Sequence, residues 1–223
     1  MSTIAIVGAG PGLGLALART FGRQGFSVAL LSRSRANLDG YVAELAAEGV
    51  TAAGFAADVT DTEGLSRGLA DAAEHFGGID VLEYSPVGTA EDSGLTSPSG
   101  TRILDVQRQM EFQLYGSITA THAVLPAMRE AGAGTLFFTT GAGSITPVPF
   151  IANVNSAAAA LRNWAINLNT ELAGTGVYAA HVAIDVSING AVPDFPSATA
   201  DEVAAAYWSL YVARDSAEHV VTA

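Results

Sequence analysis

Short apolar runs alternate along the chain with segments whose apolar residues recur every three or four positions. Runs of four to eight apolar or small residues have the length of buried strands, and the longer period is typical of amphipathic helices. The predicted strands are Ile4–Val7, Val28–Leu31, Ala52–Ala57, Ile79–Tyr84, Thr135–Thr140 and Val177–Ile184, with a short final strand at Val220–Val221.

Helices are predicted in the segments between these strands. The first begins at Leu13, and the later ones are marked by Leu38–Leu45, Leu65–Phe76, Arg102–Ala131, Leu161–Leu172 and Asp201–Val212. Thr60 or Asp61 can cap the third of them. Loops are expected at Ser85–Gly100, Gly141–Pro149 and Asp185–Ser197. Strict alternation of strands and helices predicts one three-layer α/β/α domain over residues 1–223, with a doubly wound parallel sheet.

A dense glycine turn joins the first strand to the first helix, in the order Gly8-Ala9-Gly10-Pro11-Gly12-Leu13-Gly14. Gly8 can adopt the backbone angles of a tight turn, and Gly12 carries no side chain that would block a phosphate. Gly14 lets the helix lie close to the strand, and the helix N-terminus attracts anions. The turn therefore predicts a dinucleotide phosphate site, with an ordinary structural turn as the alternative.

The second strand ends in Ser32 and Arg33, where this type of fold meets the adenosine ribose. An acidic residue there would accept hydrogen bonds from a free 2′-hydroxyl, but none is present. Arginine is a planar charged donor that suits a 2′-phosphate. We therefore expect NADP(H) to be favoured over NAD(H), unless the arginine only solvates the start of a helix.

Charge and composition exclude several kinds of partner. A net charge of −12 with ten basic residues disfavours nucleic acid and anionic membranes as partners. The absence of cysteine excludes disulfides and thiolate chemistry, and the four histidines are far apart in sequence, so no metal site is expected. No apolar run approaches the length of a membrane span, and the expected location is cytoplasmic.

The whole chain resembles the short-chain dehydrogenase/reductase family. The glycine turn carries the resemblance, together with Asp58-Val59 after the third strand, Leu125-Pro126-x-Met128 in the fourth helix and Ala159–Asn163 in the fifth. The resemblance implies a Rossmann-like fold, a small-molecule substrate and a homodimer or homotetramer. It assigns the pyrophosphate to Gly8, Gly12, Leu13 and Gly14, the adenosine ribose to Ser32 and Arg33, the adenine to Asp58 and Val59, and the nicotinamide-side ribose to Ser85.

The family's chemistry rests on an Asn-Ser-Tyr-Lys tetrad, and each of these positions is altered here. The aligned residues are Gln113, Gly141, Val154 and Ala158, and the chain contains no lysine. A general acid must be a titratable group within reach of the proton, so valine and alanine cannot replace the Tyr–Lys pair. Polar residues near the carboxyl ends of strands are the substitute candidates for catalysis: Asp185, Tyr84 and Thr140.

Three functions remain open from the sequence. The first is an NADP-dependent oxidoreductase acting on a small carbonyl, hydroxyl or enone compound with a different proton source. The second is a non-catalytic NADP-binding or partner protein, and the third is an isomerase, cyclase or dehydratase on the same scaffold. A dimer face is expected on the long fourth helix and the helix of Trp164, because Met110, Phe112 and Leu114 form an apolar group there.

Overall fold

A seven-stranded parallel sheet forms the centre of the protein. The computed structural model describes residues 2–87 and 94–223, so residues 88–93 of the predicted loop Ser85–Gly100 lie outside the described part of the chain. The strands of this sheet are β1 (Thr3–Val7), β2 (Ser27–Ser32), β3 (Ala52–Ala56), β4 (Val81–Tyr84), β5 (Gly134–Gly141), β6 (Val177–Ile184) and β9 (Glu218–Val221). Their spatial order is β3-β2-β1-β4-β5-β6-β9, and every pairing is parallel.

Helices cover both faces of the sheet. They are α1 (Leu13–Arg23), α2 (Arg35–Ala47), α3 (Thr62–Phe76), α4 (Ile103–Met110), α5 (Gly116–Ala131), α6 (Ala152–Glu171) and α7 (Ala200–Ala213). Buried side chains of α1, α2 and α7 form one core cluster with one face of the sheet, and those of α3, α5 and α6 form a second cluster on the other face. The predicted doubly wound α/β fold is confirmed.

The predicted helix over residues 102–131 contains a π-helical segment, Glu111–Tyr115, between α4 and α5. The buried side chain of Tyr84 explains its position. The Tyr84 hydroxyl donates a 2.6 Å hydrogen bond to the Phe112 carbonyl, and a Cβ on Gly116 would lie 2.1 Å from that hydroxyl. Tyr84 therefore packs directly against the helix at this segment.

Smaller differences from the sequence predictions lie in the loops. The predicted loop Asp185–Ser197 contains β7 (Ser187–Ile188), which pairs in parallel with β8 (Ser197–Ala198). Of the two residues predicted to cap α3, Asp61 is the cap, and its carboxylate accepts a hydrogen bond from the Gly64 N–H. Within the described ranges, no helix is both long and apolar enough to cross a membrane.

Candidate active site

The carboxyl ends of β1, β4, β5 and β6 border a cavity of about 830 Å³. The strand order reverses between β1 and β4, and open α/β sheets bind ligands in the crevice at such a point. Nine of the residues predicted to bind the cofactor or to act in catalysis line this cavity: Gly8, Gly12, Leu13, Gly14, Ser32, Arg33, Val59, Ser85 and Thr140.

The glycine turn leaves open space next to the N-terminus of α1. Gly8 has a φ of +100°, and a Cβ there would lie 2.5 Å from the Pro86 Cα. A Cβ on Gly14 would approach the Ala9 Cα to 3.0 Å. At Gly12, by contrast, an added Cβ would meet no described atom within 4 Å. Two glycines thus permit close backbone packing, and the third borders the open volume that a dinucleotide phosphate would need.

The two arginines after β2 have different surroundings. Arg33 is exposed and lines the cavity. Arg35 points its guanidinium elsewhere, donating to the Asp39 carboxylate at 3.0 Å and to the Gly54 carbonyl at 3.2 Å. Arg33 is therefore the arginine placed to meet a ligand at the end of β2.

A second cavity, of about 770 Å³, adjoins the first and shares five lining residues with it: Arg33, Pro86, Val87, Phe112 and Gly141. The four residues that the sequence analysis aligned with the family's tetrad all line this second cavity: Gln113, Gly141, Val154 and Ala158. Asp58, predicted to contact the adenine, lines it as well. The Gln113 amide donates to the Gln109 side chain at 3.1 Å and to the Val154 carbonyl at 3.3 Å. The fold thus gathers the four positions at one place, where two of the side chains are aliphatic and one is a glycine.

Two of the three predicted catalytic residues lie outside these cavities. Among the described residues, the two linings include Thr140 and omit Tyr84 and Asp185. Side chains alternate along β4, which turns Tyr84 into the core beneath α5, where burial raises the pKa of its hydroxyl. Asp185 is exposed just after β6. Of the three, Thr140 is the one that borders these cavities.

Thr140 belongs to a hydrogen-bond network that the sequence did not reveal. Its Oγ1 lies 2.9 Å from Ser144 Oγ and 2.8 Å from Nε2 of the fully buried His181. His181 Nδ1 lies 3.1 Å from Glu218, which also forms a bidentate pair with Arg162. Burial lowers the pKa of His181, and the bond from Arg162 lowers the pKa of Glu218. A neutral His181 that donates to Glu218 leaves Nε2 to accept from Thr140.

A second network missed from the sequence surrounds Glu83 in β4. Its carboxylate accepts hydrogen bonds from Thr139 Oγ1 at 2.7 Å and from Ser85 Oγ at 2.9 Å. Thr139 Oγ1 also lies 2.6 Å from the Tyr207 hydroxyl. Burial raises the pKa of Glu83 to about 7. The sequence does contain a signal for this network, which is the acidic Glu83 inside an otherwise apolar strand. A buried acidic residue must find a hydrogen-bonding partner or change its charge state.

Metal ligands are not gathered in the described ranges, 2–87 and 94–223. No group of three or more His, Asp or Glu side chains there could hold a metal ion.

Comparisons with known proteins place this geometry in a family. The family model described as short chain dehydrogenase matches residues 2–189. Dehydrogenase/reductase SDR family member 4 of Sus scrofa is 29% identical over 167 residues, which cover 73% of this chain and 57% of that protein. A peroxisomal 2,4-dienoyl-CoA reductase of Arabidopsis thaliana is 31% identical over 144 residues, covering 63% of this chain and 45% of that protein. The chain thus spans less than two thirds of the length of these relatives.

Solved structures share the fold at lower sequence identity. L-sorbose reductase from Gluconobacter frateurii, complexed with NADPH and L-sorbose, has a TM-score of 0.87 at 20% identity, covering 99% of this chain and 95% of that one. A 7α-hydroxysteroid dehydrogenase complexed with NADH has a TM-score of 0.88 at 20% identity, covering 99% and 92%. Because the family model matches most of this chain, residues 2–189, the chain belongs to the short-chain dehydrogenase family.

Proposed function

We propose that this protein is an NADP(H)-dependent oxidoreductase that acts on a small carbonyl, hydroxyl or enone compound without the family's Tyr–Lys pair. The observation that carries the proposal is the junction of the two cavities. The cavity beside the glycine turn adjoins the one lined by Gln113, Gly141, Val154 and Ala158, so a dinucleotide and a substrate would meet where the family places its chemistry. Bound NADPH would supply the hydride, and the protein must supply position and protons.

Nucleotide preference depends on Arg33. Arg33→Ala is expected to weaken NADPH binding by about 1–3 kcal/mol, the range for hydrogen bonds to a charged group, and to leave NADH binding little changed. Calorimetry with both nucleotides measures this. Arg35→Ala is the matched control, since the Arg35 guanidinium bonds to Asp39 and Gly54. Equal affinity of the unaltered protein for NADPH and NADH would contradict the preference.

Thr140 is proposed to hold the substrate oxygen. Its hydroxyl lies beside Gly141, where the family's serine is missing, and in the free protein it bonds to Ser144 and His181. Its one hydrogen would turn from His181 Nε2 to a bound carbonyl oxygen. Loss of the Tyr–Lys pair should make turnover slow, because general acid catalysis is typically worth 10²–10⁴-fold.

The test is nucleotide oxidation with a panel of small ketones, aldehydes and enones. We expect slow turnover, reduced about tenfold or more in Thr140→Val through loss of a hydrogen bond of 1.5 kcal/mol or more. Thr62→Val, at an exposed position of α3, should leave the rate unchanged. Tight nucleotide binding without turnover of any compound would favour a non-catalytic binding protein. Rapid turnover of ordinary ketones would contradict the expected slow rate.

A homodimer is proposed through the surface formed by α4 and the π-helical segment. Phe112 and Leu114 pack partly against the core, so the exposed apolar side chains here are instead Ile103, Leu104 and Tyr115. Light scattering at micromolar concentration should give about twice the chain mass of 22.7 kDa. Leu104→Arg should shift the mass towards the monomer, whereas Val192→Arg, an exposed apolar position elsewhere, should not. A monomer in the unaltered protein refutes this interface.

A further inference from the structure

Glu83 is a buried acid beside the nucleotide cavity that no part of the proposed function yet uses. It lies in β4 between β1 and β5, opposite Ile6 and Phe137, and it is fully buried. Ser85 and Thr139 donate to one carboxylate oxygen each, at 2.9 and 2.7 Å. A carboxyl group buried in this way costs stability unless it has a partner of opposite charge or binds a proton.

Both hydroxyl groups that touch Glu83 belong to residues that border the cavity. Ser85 and Thr139 line the 830 Å³ volume together with Gly8 and Thr140. The two residues that bond to Glu83 therefore lie between its carboxyl group and the space in which a ligand would lie. A hydroxyl is one donor and can accept two hydrogen bonds, so it can pass a proton while keeping its other contacts.

Thr139 is better placed for this transfer than Ser85, because it has a second donor. Tyr207 of α7 lies 2.6 Å from Thr139 Oγ1, and burial keeps the pKa of Tyr207 well above its usual range, so this phenol stays neutral. When Glu83 is protonated, Thr139 Oγ1 can accept from both Glu83 and Tyr207. Its own hydrogen is then available to the cavity. When Glu83 is ionised, that hydrogen returns to the carboxylate.

The surroundings of Glu83 keep the pKa of its carboxyl group close to neutral pH. Burial raises its pKa to about 7, and the bonds from Thr139 and Ser85 act in the opposite direction. Tyr207 is the titratable group that faces it from α7, and among the described residues no charged side chain contributes to this balance. The carboxyl group is thus partly protonated at neutral pH.

We propose that Glu83 stores the proton for carbonyl reduction and delivers it to the substrate oxygen through the Thr139 hydroxyl. The inference rests on the proposed function and assigns the proton source that it lacks. As the carbonyl carbon gains a hydride with both its electrons, the Thr139 O–H bond breaks and its proton passes to the carbonyl oxygen. Thr139 takes the proton of Glu83, which becomes a carboxylate, and water in the cavity later restores that proton. In alcohol oxidation each transfer is reversed.

The first measurement follows the carboxyl group itself, without nucleotide or substrate. Infrared difference spectra of the full chain across a pH titration should show a protonated carboxyl that ionises with a midpoint near 7. Glu83→Gln should lose this signal, and Glu63→Gln, at an exposed site of α3, should keep it. A spectrum without a carboxyl titrating near this midpoint overturns the inference whatever the activity.

The second measurement is the pH profile of turnover. In the unaltered chain the reduction rate should fall as pH rises through the same midpoint. Glu83→Gln and Thr139→Val should each lower the rate by roughly 10²–10⁴-fold and remove its pH dependence, while nucleotide affinity stays unchanged. Thr139→Ser, which keeps a hydroxyl, should restore part of the rate. Thr139→Val tests the route even where Glu83→Gln fails to fold.

Two outcomes separate this inference from the proposed function. Normal turnover with an unchanged pH profile in both variants overturns the role of Glu83 and leaves the oxidoreductase proposal standing. Nucleotide binding without turnover of any carbonyl in the unaltered chain overturns the oxidoreductase proposal, and this inference with it.

Discussion

Gly12→Val is expected to abolish nucleotide binding while the protein stays folded. A Cβ at Gly12 would meet no described protein atom within 4 Å, so the added side chain clashes with no described atom of the free protein. The added methyl groups would instead occupy the open volume at the N-terminus of α1. Loss of two hydrogen bonds to a charged phosphate costs about 3 kcal/mol or more, over 100-fold in affinity.

Calorimetry with NADPH and far-UV circular dichroism measure the two halves of this prediction. Gly40→Val is the matched control, because Gly40 lies in α2 with open space around it and outside the lining of either cavity among the described residues. Normal affinity in Gly12→Val would show that the phosphate site is not at this turn.

Gly8→Ala is expected to destabilise the fold. Gly8 has a positive φ, and an added Cβ would lie 2.5 Å from the Pro86 Cα.

The free energy of unfolding is expected to fall by roughly 3 kcal/mol between about pH 4.5 and pH 7 because of Glu83 alone. Burial raises its pKa from the usual 4.5 to about 7, and that difference corresponds to roughly 3 kcal/mol. Within this window the unfolded chain has released the proton that the folded chain still holds. The folded state is therefore favoured at low pH, and this advantage is lost as pH rises towards 7.

Urea denaturation at a series of pH values measures this effect. Glu83→Gln cannot ionise, so the difference in unfolding free energy between it and the unaltered chain should change by that amount across the window. The change with pH is the informative quantity, because lost hydrogen bonds shift all values alike. Glu63→Gln should run parallel to the unaltered chain. A difference that stays constant with pH would mean that Glu83 keeps an ordinary pKa in the folded protein.

Local patterns were sufficient to predict the fold. The run Val177–Ile184 is β6 with the same bounds, and the other core strands lie within a few residues of their predicted positions. A buried parallel strand must be apolar along its whole length, and a helix on a sheet must repeat every three or four residues, so both leave local signatures. The glycine turn is similarly local, since its turn, open face and helix start lie within seven residues.

The interruption of the long helix and the pairing of β7 with β8 left no such signature. The π-helical segment contacts Tyr84, which lies 28 residues before the carbonyl to which it donates. The two short strands have only two residues each and are stabilised by each other. Contacts between distant parts of the chain decided both.

Which polar groups meet at the site was likewise decided by the tertiary structure. Tyr84 and Asp185 end strands as the catalytic candidates were expected to do, but the alternation of side chains in β4 and the exposed turn after β6 place both outside the cavities. Thr140 meets His181 across 41 residues, and Thr139 joins Glu83 and Tyr207 across 56 and 68 residues. Sequence patterns were enough for the sheet, the glycine turn and the absence of lysine, because these are properties of neighbouring residues or of composition. The packing of β4, β5, β6 and α7 brings the buried side chains and the hydroxyls of Thr139 and Thr140 together. Strand pairing, and not spacing in the sequence, sets the distances between these groups, and burial sets the pKa of Glu83.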